Sequence, residues 1–207
     1  MNKEKERMLL GKLYQGNAEE MIAERMKAKK KCFEINSLSF ENFSEILKNI
    51  KELFEEVGEN TVVMTPIMCD YGYNILIGKN TFINHDCIFL DIGKIKIGNN
   101  VLIGPRVSFL AVSHPLFSIE RESGYEYGTH ITIEDGVWIG GAVTINNGVT
   151  IGRNSVIGSG SVVVKDIPEN VVAAGNPCRV LRKIYEKDKM MEKFNLEEKC
   201  LLIQILK

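Results

Sequence analysis

Residues 131 to 168 read ITIEDG VWIGGA VTINNG VTIGRN SVIGSG SVVVKD IP when written in sixes from Ile131. Ile133, Ile139, Ile145, Ile151, Ile157 and Val163 recur at a strict interval of six, and a Gly, Asn or Glu directly follows most of them. Neither the 3.6-residue period of a helix nor the alternation of a simple strand gives that spacing; stacked coils do. Each hexad is a short strand plus a bend, with the aliphatic side chain pointing inward onto its equivalents and the next residue letting the backbone turn. One coil cannot bury its own apolar face, so several must stack. The stretch predicts a parallel β-helix, since a meander would need irregular strand lengths.

The register extends backwards. Ile77, Ile83 and Phe89 sit six apart, two extra residues around Ile92 and Gly93 shift the phase, and Ile97, Ile103 and Phe109 resume it. From Phe109 to Ile133 the spacing is 24, again a multiple of six, but Pro115 to His130 lacks the repeat. That segment is expected to leave the coil as a protruding loop, 115–130, on the face where solenoids place binding insertions. It carries Phe117, Glu120, Arg121, Glu122, Tyr125, Glu126 and Tyr127, with Gly124 and Gly128 available for bends.

Before Thr61 the period is helical, from residue 3 to about 57. Asn17 and Glu20 have the spacing of a cap and its reciprocal partner, predicting a helix from Ala18. Phe40, Phe43, Ile46, Leu47, Ile50, Leu53, Phe54 and Val57 form one apolar stripe, predicting a helix from Phe40 to Val57 that Gly58 stops and that docks on the rest of the protein. After Asp166 the coil is expected to end at Ile167–Pro168, with VVAAGNPCRVLRKI (171–184) as an irregular exit. The remainder reads as a helical tail whose Leu201, Leu202, Ile203, Ile205 and Leu206 call for burial. Three regions result: 1–60 helical, 61–184 coiled, 185–207 tail.

Charge excludes some partners. With 26 basic against 27 acidic residues the chain has no net field to attract nucleic acid or a membrane surface. No apolar run approaches eighteen residues, and MNKEKERMLL is too charged for a signal peptide. The five cysteines are scattered without a C-x-x-C pair, which suits a reducing cytoplasm and gives a structural zinc site no support.

The run VWIGGAVTINNGVTIGRNSVIGSGSVVVKDIPENVVAAGNPCRV, the SHP at 113–115 and the opening GKLYQGNAEEMIAERMKAKK together resemble the maltose and galactoside O-acetyltransferase group of the hexapeptide-repeat acyltransferases. The likeness runs from residue 4 to about residue 187. It implies a mainly β fold, a left-handed parallel β-helix with three hexads per coil and an N-terminal helical region, assembled as a homotrimer. Acetyl-CoA and a sugar acceptor would meet in clefts between adjacent subunits, with no metal required. His114 matches the family's catalytic His-Pro. An imidazole suits that work, because near neutral pH it can take a hydroxyl proton and return it to a leaving thiolate.

For the acceptor the resemblance points to Asp70, Asn84 and Asp91, short polar side chains able to fix hydroxyls in direction. Trp138 is expected to wall the cleft. For acetyl-CoA the matching positions are Gly141, Ser159, Val164, Lys165, Arg179 and Arg182. The family often has serine where Gly141 stands, so here only the backbone N–H can serve a developing oxyanion. Three other readings compete: an antibiotic-modifying acetyltransferase of the same repeat class, a zinc enzyme using His85, His114 and His130, and a non-catalytic trimeric scaffold.

Overall fold

The computed structural model describes residues 3–191. Three sheets of short strands wrap one core as the faces of a triangular coil of about six turns. The first face runs through Glu56–Val57, Ile75–Ile77, Ile95–Ile97, Ile131–Ile133 and Thr150–Ile151. The second stacks Val62–Val63, Phe82–Ile83, Leu102–Ile103, Trp138–Ile139, Val156–Ile157 and Val171–Ala174, and the third Ile67–Cys69, Cys87–Leu90, Ser108–Leu110, Thr144–Asn146 and Val162–Val163. Pairing between coils is parallel throughout these rows.

The six aliphatics of the repeat all point inward and are almost fully buried. Ile83, Ile103, Ile139 and Ile157 form one column, and Phe89 lies flat on Phe109 in another, with ring centroids 5.0 Å apart. Full burial of such a side chain is worth about 1.5–3 kcal/mol, so the columns are the main store of stability. At the corner between the first and second faces, Asn60, Asn80, Asn100, Asn154 and Asn170 adopt positive φ. Asparagine tolerates that conformation, and Asn60, Asn80 and Asn100 pass amide hydrogen bonds of 3.3 Å from coil to coil.

Two helix boundaries differ from the sequence expectation. The long helix forms only over Phe43–Leu53 (α3), preceded by a single 3-10 turn at Phe40–Asn42. Phe54 is already extended, because the Glu55 N–H donates to the Ile75 carbonyl and Glu56–Val57 pairs with Leu76–Ile77. The first rung is thus laid ahead of Thr61. Ile46, Ile50 and Phe54 still face the core, with Phe54 edge-on to Phe89, and close the open end of the coil. Two helices precede α3, Lys3–Leu9 (α1) and Glu19–Asn36 (α2). The second starts one residue later than expected; Ala18 is its cap residue and no side chain caps it.

The exit segment is also more regular than its sequence suggests. Val171–Ala174 pairs antiparallel with Arg179–Lys183, forming a hairpin that ends the second face. Beyond it comes a short 3-10 turn at Glu186–Asp188. The hydrophobic run from Leu201 to Leu206 lies outside the described residues. No helix among the described residues is long and apolar enough to cross a membrane.

If the inward columns carry the stability, Ile139→Ala should cost about 2–5 kcal/mol by urea unfolding. Thr132→Ala, on the outward side of the first face, should stay within about 0.5 kcal/mol.

Candidate active site

The coil is not uniform, and its irregular corner, between the third face and the first, is where the site forms. Ile97 follows its stacked neighbour Ile77 by 20 residues, whereas Ile151 follows Ile133 by 18. The two extra residues of the early coils fall at this corner. Asp91 holds it together: one carboxylate oxygen accepts the backbone N–H groups of Asp70 (3.0 Å) and Tyr71 (2.9 Å), and the other accepts that of Gly72 (2.8 Å).

The loop departs at the same corner. It carries a short helix, Ser118–Glu122, and a strand, Tyr125–Glu126, that pairs antiparallel with Tyr14–Gln15 of the N-terminal region. Ser113 and Tyr127 exchange backbone hydrogen bonds of 2.7 and 3.0 Å at the loop's base, fixing the chain one residue before His114. Below, α2 crosses with Met21, Ala28, Cys32 and Ile35 on its buried stripe.

Between α2, the loop and the corner lies a cavity of about 350 Å³, lined among others by His114, Asp70, Arg25, Lys29, Arg121 and Glu126. A polar network closes one wall. The Arg25 guanidinium donates to Tyr71 Oη (3.0 Å), to Glu126 Oε1 (3.3 Å) and to the Gly16 carbonyl, and the buried Tyr14 hydroxyl donates to the same Glu126 oxygen. Burial, reinforced by the bond to Glu126, pushes the Tyr14 phenol far above its usual range and keeps it a donor. Burial also raises Asp70, against the pull of Lys29 and Arg25.

The expected site residues fall into separate groups. His114 and Asp70 share the cavity. Asp91 does not reach it: the side chain is fully buried with both oxygens committed to the corner, which corrects its expected contact with an acceptor. Asn84, Trp138, Gly141 and Ser159 gather instead on the second face and at the corner between it and the third. There the backbones of Asn84, Gly104, Gly140 and Gly158 form one column, and Trp138 is 55% exposed.

Val164 and Lys165 follow the third-face strand Val162–Val163, at the irregular corner but near the far end of the coil. Arg179 and Arg182 lie on the exit hairpin, where Arg182 is paired with Asp188 at 2.6 Å. The three histidines do not converge. His85 Nδ1 meets the Thr65 carbonyl, and His130 Nδ1 accepts the Lys94 N–H at the far end of the loop. Among the described residues no group of three or more His, Cys, Asp or Glu could hold a metal ion.

Residues 7–58 match the maltose acetyltransferase hexapeptide capping motif, and residues 130–165 match six bacterial transferase hexapeptide repeats. The galactoside O-acetyltransferase of Escherichia coli strain K12 is 45% identical over 184 residues, 89% of this chain and 91% of that protein. The chain belongs to this acetyltransferase family. It is an acyltransferase of the galactoside and maltose O-acetyltransferase type.

A maltose O-acetyltransferase from Clostridium difficile 630 superposes with a TM-score of 0.87 at 49% identity, covering 89% of this chain and 99% of that one. A galactoside acetyltransferase solved in complex with coenzyme A gives 0.85 at 42% identity, covering 91% and 94%. The relatives therefore share the coil and the helical cap together.

Sequence reasoning named Glu126 as part of the loop but did not single out Arg25 and Lys29, which line the cavity, or Tyr14, which backs it through Glu126. One signal was available for Arg25, a charged residue on the α2 stripe otherwise made of Met21, Ala28, Cys32 and Ile35. The pairing of Tyr14 with Glu126 spans 112 residues and leaves no local trace.

Burial pushes the Asp91 carboxyl up to about 6, against its bonds to the Tyr71 and Asp70 N–H groups. The folded state then holds that proton more tightly than the unfolded chain, whose Asp titrates near 3.9. This group's contribution to stability is therefore full below about pH 4 and declines as pH rises through about 6. Asp91→Asn, which turns an NH₂ toward the N–H donors, should lower stability at pH 7 by about 1–3 kcal/mol and lose that pH slope, read from urea unfolding across the window.

Proposed function

We propose that this chain transfers the acetyl group of acetyl-CoA to a hydroxyl of a sugar, with His114 as general base. The observation that carries the reading is that His114 and Asp70 open into one cavity, giving a proton acceptor and a hydroxyl ligand together. His114 takes the hydroxyl proton as the sugar oxygen attacks the thioester carbonyl, then returns it to the departing thiolate. Asp70 accepts a hydrogen bond from a neighbouring hydroxyl and fixes the ring. The Gly141 N–H faces the developing oxyanion.

Acetyl-CoA suits the residues on hand. Backbone groups near Gly141 and Ser159 can pair with the pantetheine amides, and a Cβ built at Gly140 would lie 2.6 Å from Ser159 N, so this wall stays bare backbone. Lys165 and Arg179 are exposed and can neutralise nucleotide phosphates. Arg182 joins them only after leaving Asp188.

The working form in this reading is a homotrimer. Asn84, Trp138, Gly141 and Ser159 occupy a different corner from His114, so a neighbouring copy supplies them. Exposed apolar side chains on both parts favour such a contact: Trp138, Leu102 and Met68 on the coil, Leu116, Phe117 and Ile119 on the loop. The protein is expected to act in the cytoplasm.

Acetyl-CoA turnover with glucose, maltose, galactosides, glucosamine and chloramphenicol tests the assignment. Sugar-dependent CoA release should fall about 10²–10⁴-fold in His114→Ala. Release with chloramphenicol alone would move the protein to antibiotic modification, and a loss of only a few-fold would remove His114 as the base. In the same assay Asp70→Asn should raise the acceptor KM more than that for acetyl-CoA. Sedimentation should give three chains per particle, and a monomer with full activity would contradict the shared site.

A further inference from the structure

Cys32 and Cys69 face each other beneath the cavity. Cys32 lies on the buried stripe of α2, Cys69 ends the strand Ile67–Cys69, and their Sγ atoms are 3.5 Å apart. Both are buried, at 5% and 4% exposure. Their register is fixed at the end of α2, where the Asn36 side chain donates to the Ile67 carbonyl (2.8 Å) and accepts the Ile67 N–H (2.9 Å). A disulfide needs about 2.05 Å between sulfurs, so closure asks for an approach of about 1.5 Å. Because α2 is docked by side chains rather than hydrogen-bonded into a sheet, it can supply that movement.

The surroundings tie the pair to both sides of the helix. Asp70, directly after Cys69, lines the His114 cavity together with Arg25 and Lys29 of α2. Ala28, one turn before Cys32, lines a second cavity of about 510 Å³ with Lys27, Lys31, Tyr71 and Tyr73. Cys87 and Cys178 are buried elsewhere and have no sulfur partner among the described residues.

We propose that Cys32 and Cys69 are a modification site for peroxide, closing to a reversible intramolecular disulfide that ties the helix bearing Arg25 and Lys29 to the strand that presents Asp70. The Cys32 thiolate attacks one peroxide oxygen: an S–O bond forms, the O–O bond breaks, and the departing hydroxide is protonated to water. Cys69 sulfur then attacks the resulting sulfenic acid: the S–S bond forms, the S–O bond breaks, and a second water leaves with the Cys69 proton. Two thiols are oxidised and one peroxide is reduced to two waters.

The 3.5 Å contact with Cys69 holds the Cys32 thiol below its usual range, while the same contact, burial and the carboxylates of Asp91 and Asp70 hold Cys69 above it. In the proposed sequence Cys32 is the first nucleophile.

The experiment treats the native full chain with hydrogen peroxide and maps disulfides by peptide mass spectrometry without reduction. The expected result is the loss of two of the five thiols, a Cys32–Cys69 cross-link, a higher melting temperature and full return with dithiothreitol. Neither Cys32→Ser nor Cys69→Ser should form a cross-link, and in Cys69→Ser the oxidation should stop at a Cys32 sulfenic acid, whereas Cys178→Ser should still close the bond. Thiols that stay free until the protein unfolds, or a cross-link between other cysteines, would overturn the proposal. These readouts do not depend on the proposed reaction, so they stand or fall apart from it.

The consequence for the site does rest on that reaction. In oxidised enzyme the acceptor KM should change while the KM for acetyl-CoA holds. A fully cross-linked enzyme with both values unchanged would overturn the coupling to the cavity.

Discussion

Every part of this molecule depends on the inward stacking of one side chain per hexad, and on the bend that must follow it. The strands are only two to five residues long and would not persist alone. They form because each aliphatic finds its equivalents above and below, while most corners turn the backbone through a residue at positive φ. Asparagine fills the first corner in every coil but one, where Gly136 stands, and ties neighbouring coils with its amide. At the corner near Gly141 the residues are Asp86, Arg106 and Ala142, with φ of 62°, 58° and 56°. Arg106 and Ala142 have no amide to compensate, and the conformation costs them about 1–2 kcal/mol each. The rungs on both sides over-determine the turn, and they hold it.

The site arises where that regularity is relaxed. Two residues more than a plain hexad allows would leave the backbone of Asp70, Tyr71 and Gly72 without coil partners for all its N–H groups. The Asp91 carboxylate supplies three acceptor contacts in one place. A buried carboxylate with this many donors is costly to form and costlier to break, which makes the corner rigid. Asp70 is then presented to the cavity from a fixed backbone.

The repeat was legible because it is strictly local in sequence and its inward positions tolerate only apolar side chains. The boundary at Val57 was not: Phe54 and Val57 satisfy a helical stripe and a β rung equally well, and the choice was made by hydrogen bonds to Ile75 and Ile77, distant in sequence. Asn17 failed as a cap for a similar reason. The chain enters α2 from a strand bound to the loop, and Asn17 lies against Gly124 instead. Asp91 shows the limit for sites. A carboxylate that binds a sugar and one that binds three backbone N–H groups look alike in sequence, and only burial tells them apart.

The helical cap has two tasks that constrain each other. Its α3 face closes the end of the coil through Ile46, Ile50 and Phe54, which demands apolar side chains and a tight fit. Its α2 and the strand Tyr14–Gln15 clamp the loop that begins just after His114, which demands a buried Tyr14 and partly buried Arg25 and Glu126. A charge on the buried stripe of α2 would be destabilising alone, and it is tolerated because Glu126, the Tyr71 hydroxyl and the Gly16 carbonyl surround the guanidinium. Removing Glu126 would thus leave Arg25 uncompensated as well as freeing the loop. His114 at the base of the loop and Asp70 on the coil line one cavity together with Arg25 and Lys29 of α2.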